Sequence, residues 1–322
     1  LKIISFPRDK AFRRFAEQIQ NKKEFAGVRV FKNVQCLCIP DSQYESHANL
    51  FRSSALRVEN NIKVRLHSSD EIPWGVKKIG APTIWERSMG EEIKVAVIDT
   101  GISRKHPDLR GQVKGGADFV PRRKKNGDTS SSGHGTHVAG TIAAALNQRG
   151  IVGVAPRAAL YDVRAFHPDG SAEVSSIIAG LDWAVENKID VINMSFGMPE
   201  NSRALHQAIK RAAAAGIYMV ASAGNNGKEL EYPARYPEVI AVGAIDEKGN
   251  LASFSSRGRG MNVAPGVNIF STWLKGGYKT LDGTSMAAAH ISGAAALQIA
   301  QSKRRQSVRK VRRKLLTVSV SG

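Results

Sequence analysis

Val95-Ala96-Val97-Ile98-Asp99-Thr100-Gly101 is an unbroken apolar run closed by a carboxylate and a glycine. A strand with one wet face alternates apolar and polar residues. A run without that alternation reads as a strand covered on both faces. Runs of the same kind recur at residues 160–166, 191–194, 217–221 and 239–243, and helical patterns stand between them at 135–146, 174–187 and 205–215. Strands and helices in alternation predict an α/β fold, a parallel sheet with helices on both faces. In such sheets, sites form beyond the carboxyl ends of the strands. Asp99 stands at such an end.

Upstream, residues 1–67 read as a smaller α+β unit. Strands are expected at 1–6, 28–31 and 35–39, with a turn at Lys32-Asn33-Val34, and extended chain from 56–58 through 64–66. Phe12, Phe15 and Ile19 give a helical period over 9–22, and a weaker helix is expected over 42–52. The order β-α-β-β-α-β is the split ferredoxin-like pattern. Residues 68–82 are polar and carry Pro73 and Gly75. They read as a linker that becomes an arm, ahead of a main domain over 83–322.

The chain has 322 residues, 42% of them hydrophobic and 23% charged, which suits two folded domains. It has no run of about 18 apolar residues, so no membrane-spanning helix is expected. It starts at Leu1 without a signal-peptide pattern, so a leader is removed or left out of the numbering. The net charge is +19, and a block bounded by Lys303 and Lys314 holds eight basic residues in twelve. Val308, Val311, Leu315 and Leu316 make that block a cationic amphipathic helix, a solvated face or a contact for an anionic surface or polymer. Cys36 and Cys38, the only cysteines, form no disulfide framework and read as strand residues.

Four stretches carry residues suited to chemistry. Gly283-Thr284-Ser285-Met286 opens an Ala-rich, nearly uncharged run that reads as a buried helix. Ser285 at its start is either an N-cap or a nucleophile beside N–H groups that stabilise an oxyanion. Asp99 caps a turn or orients a base. An Asp-Thr-Gly pair of carboxylates sharing a proton would need a homodimer, because the motif occurs once, and the chain is too long and too α/β to suit one. In Gly133-His134-Gly135-Thr136-His137, two histidines three apart lack the further ligands a metal needs. His134, flanked by glycines, suits a base, and His137 suits packing. Asn225, in Ala223-Gly224-Asn225-Asn226-Gly227, is a turn residue or an oxyanion donor.

Taken together, VAVIDTGI, GHGTHVAGTIAA, DVINMSFG, AGNNG, YPARYPEVIAVGA and GTSMAAAHISGAAAL make residues 72–316 resemble the subtilisin-like serine proteases, the subtilases. The resemblance implies a serine endopeptidase, with Asp99, His134 and Ser285 as the triad and Asn225 with the Ser285 N–H as the oxyanion hole. It implies substrate edges at Gly170, Ser171, Ala172 and at Ser195, Phe196, Gly197. A specificity pocket floored by Ser222, Ala223 and Gly224 would prefer a large apolar side chain. Glu173 would favour basic residues at a neighbouring subsite. It implies a structural calcium ion at Asp70, Asp108, Asn147 and the carbonyls of Ala145, Arg149 and Ile151. Residues 1–67 would be a propeptide, a folding chaperone and intramolecular inhibitor, cut off near His67, Ser68 and Ser69. The protein would be a secreted monomer acting on proteins and peptides. Two departures stand out: Ala289 replaces the family's usual proline, and the chain ends at Gly322, before the usual closing segment. A non-catalytic relative serving as a binding partner is the competing class, and the complete triad argues against it.

Overall fold

The computed structural model describes residues 1–19, 22–52, 56–61, 70–120 and 132–302. The chain divides into two compact units, Leu1–His67 and Ser68–Gly322.

The first unit contains β1 (Lys2–Ser5), α1 (Asp9–Ile19), β2 (Arg29–Phe31), β3 (Cys36–Ile39), α2 (Asp41–Ser46) and β4 (Arg57–Asn60). Its strands form one antiparallel sheet in the order β2-β3-β1-β4. That order is the split pattern expected of β-α-β-β-α-β. Helix α1 buries Phe12, Ala16 and Ile19, so one apolar face meets the sheet. The second helix is shorter than expected. It ends at Ser46, and residues Ala48–Phe51 form a separate 3-10 turn. Ser46, His47 and Asn49 are weak helix formers, and His47 leaves helical geometry at ψ 20°. Cys36 and Cys38 are free thiols on β3. The expected helix end at 22 is not met, because Lys22 is extended at φ −95°, ψ 124°. The strand at 64–66, the processing residues His67–Ser69 and the basic block at 303–314 lie outside the described residues.

The second unit begins with α3 (Trp74–Lys78) and α4 (Ala81–Trp85). The arm is built in over its described part: Glu71 bridges to Ile151, and Val76 and Ala81 are core residues. There follow β5 (Lys94–Asp99), β6 (Val113–Asp118), α5 (His134–Ala143), β7 (Ala159–Arg164), α6 (Val174–Glu186), β8 (Val191–Met194), α7 (Arg203–Ala214), β9 (Tyr218–Ser222), β10 (Ile240–Ile245), β11 (Asn262–Pro265), β12 (Ile269–Thr272), β13 (Tyr278–Leu281) and α8 (Thr284–Gln301).

Seven strands pair in parallel in the order β11-β10-β9-β8-β5-β7-β6. The opening sequence stretch is β5. Val95 and Val97 face a core shared with Val138, Ile142, Ala288 and Ala295 of α5 and α8. Ala96 and Ile98 face the opposite core, with Leu181, Leu205 and Ile209 of α6 and α7. Both faces of the strand are dry, which is why its sequence does not alternate. Full burial of one such isoleucine stabilises by about 1.5–3 kcal/mol.

The edges were not visible as apolar runs. Strand β6 reads VKGGAD, is half-buried and has a register shift between Val113 and Gly115; β11 reads NVAP. The chain places β6 and β7 on one side of β5, and β8 to β11 on the other. The crevice of such a sheet opens where the strand order reverses, at the carboxyl ends of β5 and β8.

Candidate active site

Asp99 ends β5 and is 3% exposed. Its Oδ1 accepts from the Thr100 N–H at 2.7 Å, and the Thr100 hydroxyl lies 3.1 Å away. Thr100 Oγ1 also accepts from the Gly135 N–H at 3.2 Å, which ties the start of α5 to the end of β5. A Cβ on Gly135 would stand 2.6 Å from the Gly101 carbonyl, so this close approach requires glycine. His134, the first residue of α5, sets Nδ1 at 2.9 Å from each carboxylate oxygen of Asp99. A carboxylate there keeps the proton on Nδ1 and leaves Nε2 as an acceptor. Burial disfavours the imidazolium of His134, but the charge and hydrogen bond of Asp99 outweigh that and raise the pKa above 6.5.

His137 resolves differently. It is fully buried, and Nε2 lies 3.0 Å from the carbonyls of Ile269 and Lys279, joining α5 to the β12–β13 hairpin. Burial lowers its pKa to about 4, so it stays neutral and packs.

Ser285 is the second residue of α8 and is not the cap. Gly283 holds the N-cap position without a side-chain bond. The Ser285 hydroxyl donates to the Ser195 carbonyl at 3.2 Å rather than to the imidazole, and the Ser195 hydroxyl donates back to the Ser285 carbonyl at 3.0 Å. Behind them Asn193 Nδ2 donates to Ser195 Oγ at 2.8 Å, and Ser292 lies 2.9 Å from Asn193 Oδ1. This buried polar network fixes the neighbourhood of Ser285. The sequence reading missed Asn193 and Ser292; their signal was an Asn inside an apolar strand and a Ser inside an apolar helix, polar groups that burial obliges to pair.

Asn225 follows β9 and is exposed. Its Oδ1 accepts from both the backbone N–H and the hydroxyl of Thr284, each at 2.9 Å. A backbone N–H cannot donate to an amide NH2, so the orientation of Asn225 is fixed. Its Nδ2 and the Ser285 N–H then bracket one point: a Cβ added to Gly283 would stand 3.7 Å from each nitrogen. Thr284, which clamps Asn225, is a second residue the sequence reading missed.

A cleft of about 350 Å³ opens beside His134 and is lined by Asp99, Phe166, Gly170 and the Ser195-Phe196-Gly197 stretch. The Phe166 and Phe196 rings pack 4.9 Å apart on one wall. Ser171 and Ala172 share the loop of Gly170 but lie outside the lining, as do Ser222, Ala223 and Gly224. The last three are buried, and Ser222 Oγ donates to the Phe196 carbonyl at 3.3 Å, joining the two stretches. Glu173 is exposed at the N-cap of α6.

Away from the cleft, Asp70, Asp108 and Asn147 come together. The Asn147 N–H donates to Asp70 Oδ1 at 3.0 Å, and its Nδ2 lies 3.4 Å from Asp108 Oδ1. Asp108 Oδ2 accepts from the Ile151 N–H and the Tyr278 hydroxyl. The Ala145 N–H donates to the Asp108 carbonyl. Asn147 Oδ1 is buried without a partner. An orphaned oxygen flanked by two carboxylates fits a hard cation with oxygen ligands. No group of three or more His, Cys, Asp or Glu occurs here or elsewhere among the described residues, so such an ion would rely on amide and carbonyl oxygens as well.

Among parallel-sheet proteins, a carboxylate-held imidazole lining a cleft at the strands' carboxyl ends is an arrangement that serine hydrolases use. Sequence comparison sharpens the class to a family. Residues 90–320 match the model of the Subtilase family, and the chain belongs to that family. The alkaline protease of Alkalihalobacillus alcalophilus is 41% identical over 309 residues, 92% of this chain and 80% of that protein. Subtilisin BL of Lederbergia lenta is 49% identical over 232 residues, 71% and 84% of the two chains. Subtilisin E of Bacillus subtilis is 48% identical over 236 residues, 71% and 61%. The protein is a subtilisin-type serine endopeptidase.

Proposed function

We propose that Ser285 attacks the substrate carbonyl, with His134 as base and Asp99 as its orienting partner. The Ser285 hydroxyl turns from the Ser195 carbonyl to Nε2 of His134 and gives up its proton there as the Oγ–C bond forms. The oxyanion lies between Asn225 Nδ2 and the Ser285 N–H. Collapse of the tetrahedral intermediate breaks the C–N bond, and Nε2 hands its proton to the leaving amine. Water then removes the acyl group by the same route in reverse. The observation carrying this reading is the Asp99–His134 pair, 2.9 Å through Nδ1, opening on a cleft whose Ser195 exchanges hydrogen bonds with Ser285. A serine-directed phosphonate is expected to add its mass to Ser285 alone. Labelling elsewhere, with Ser285 unmodified, would sink the assignment.

Asn225→Ala is expected to lower kcat by roughly 10²–10³-fold with KM little changed, a magnitude taken from the equivalent change in subtilisin, a member of the family. The lost donor acts on the oxyanion and not on the ground-state carbonyl. A matching rise in KM instead would give Asn225 a binding role.

Residues 1–67 are proposed as a propeptide that assists folding, inhibits the enzyme and is cut near His67–Ser69. The 92% coverage by the alkaline protease supports this, since Ser68–Gly322 alone is too short to reach it. The processed enzyme is proposed to act on proteins outside the cell. No helix among the described residues is long and apolar enough to cross a membrane.

Calcium is proposed at Asp70, Asp108 and Asn147, with the carbonyls of Ala145, Arg149 and Ile151. A bound ion neutralises the two carboxylates and ties the arm to the loop after α5. Saturating calcium stabilises by about 2.7 kcal/mol at a hundred times Kd. EDTA is therefore expected to lower Tm by roughly 5–10 °C, read by calorimetry and reversed by added calcium. A Tm indifferent to both would refute the site.

A further inference from the structure

We propose that Glu231 makes the pocket beside Ser285 select a long basic side chain, arginine or lysine, on the acyl side of the cut bond. This rests on the endopeptidase reading above and narrows its substrate. The pocket's walls are the two stretches that flank the nucleophile. Ser195 exchanges hydrogen bonds with Ser285, and the Gly224 N–H donates to Thr284 Oγ1 at 3.3 Å. The walls consist largely of small residues, which is the basis for expecting a large apolar guest.

Between those walls lies a carboxylate. A Cβ on Gly197 would overlap Glu231 Oε2, and a Cβ on Gly224 would stand 2.7 Å from its carboxyl carbon. The Glu231 side chain thus passes against both glycines, and Gly224 has a φ of +109° that also favours glycine. Its backbone is stitched to each of them. The Glu231 N–H donates to the Ala223 carbonyl at 2.9 Å, and the next residue, Tyr232, exchanges two hydrogen bonds with Met198 at 2.8 and 3.0 Å. The side chain has its direction set by these ladders.

The carboxylate is half satisfied. Oε1 accepts from Asn226 Nδ2 at 2.8 Å, and Asn226 is itself held through Oδ1 by Ser256 and the Lys228 N–H. Oε2 has neither a hydrogen bond nor an ion pair among the described residues. An apolar guest reaching this end would strip water from a charge and return nothing. Lysine and arginine lay an aliphatic stem along the glycine walls and present donors to Oε2. The walls account for the size of the guest, and Glu231 corrects its polarity.

The test uses the full processed enzyme and four peptides differing only before the cut bond: Arg, Lys, Phe and Leu. Wild type is expected to show higher kcat/KM for Arg and Lys than for Phe and Leu. In Glu231→Gln the Arg-to-Phe ratio should fall roughly 10- to 100-fold, as for loss of one charge-assisted hydrogen bond. Benzamidine, an amidinium probe, is expected to inhibit wild-type cleavage of the Phe peptide competitively, which tests the pocket without a variant. A wild-type preference for Phe and Leu, together with an Arg-to-Phe ratio unmoved by Glu231→Gln, overturns the proposal while leaving the endopeptidase reading intact. Cleavage of none of the four peptides overturns both.

Discussion

Ser285→Ala is expected to give a folded chain that never shortens, while the parent protein loses its first unit on incubation. The expected fall in kcat on peptides is on the order of 10⁶-fold, a magnitude taken from removal of the nucleophile in subtilisin itself. The structure gives a reason to expect the fold to survive. The substitution removes one donor from the Ser195 carbonyl, a change of about 1 kcal/mol. The returning bond, from the Ser195 hydroxyl to the Ser285 carbonyl, uses the main chain of residue 285 and remains. Asn193 and Ser292 continue to hold Ser195 in place. Intact mass after incubation with calcium, and a melting curve, check the two halves of the expectation. Self-processing by the purified alanine chain at the parental rate would remove Ser285 from the nucleophile's role. Inactivity accompanied by a collapsed Tm would mean that the hydroxyl's contribution is structural.

The interior strands were legible because their physics is one-dimensional. A strand dry on both faces must be apolar at every position, and β5 and β9 carry that signature without any knowledge of their neighbours. The sheet edges carry no such constraint. Strand β6 faces water on part of its length and contains two glycines, so nothing in VKGGAD distinguishes it from a loop. The site divides in a similar way. Asp99, His134 and Asn225 stand at strand ends or helix starts, where a turn exposes them, and motif order makes them readable. Their support is not readable: Thr100, Thr284 and Asn193 act through partners 32 to 99 residues away. Glu231 is the extreme case. In Lys228-Glu229-Leu230-Glu231 it reads as one charge on a solvated loop. Only the folded backbone shows that it lies between Gly197 and Gly224.

Asp99→Asn is expected to lower kcat on the order of 10⁴-fold, the size found for the Asp-to-Asn change in a Ser-His-Asp protease and of the order lost when the triad aspartate is removed from subtilisin, and to move the acid limb of the pH profile. Oδ1 of residue 99 must remain an acceptor, because the Thr100 N–H points at it from 2.7 Å. The new NH2 is then forced into the position of Oδ2, where it faces Nδ1 of His134. Nδ1, 2.9 Å from both positions, then meets one acceptor and one donor in place of two acceptors, and the tautomer that accepts from the new NH2 and carries its proton on Nε2 gains in population. In that tautomer the imidazole cannot accept the Ser285 proton. The pH dependence separates this electrostatic role from simple damage. Activity requires neutral His134, so it falls as pH drops through the imidazole pKa. In the parent chain Asp99 holds that pKa above 6.5 against the opposing effect of burial. Without the charge, burial acts alone, and the residual activity should persist to below pH 6.5. A pH–rate profile of kcat/KM for both proteins measures the displacement. An acid limb that stays in place while kcat falls would mean that Asp99 positions the ring without setting its charge.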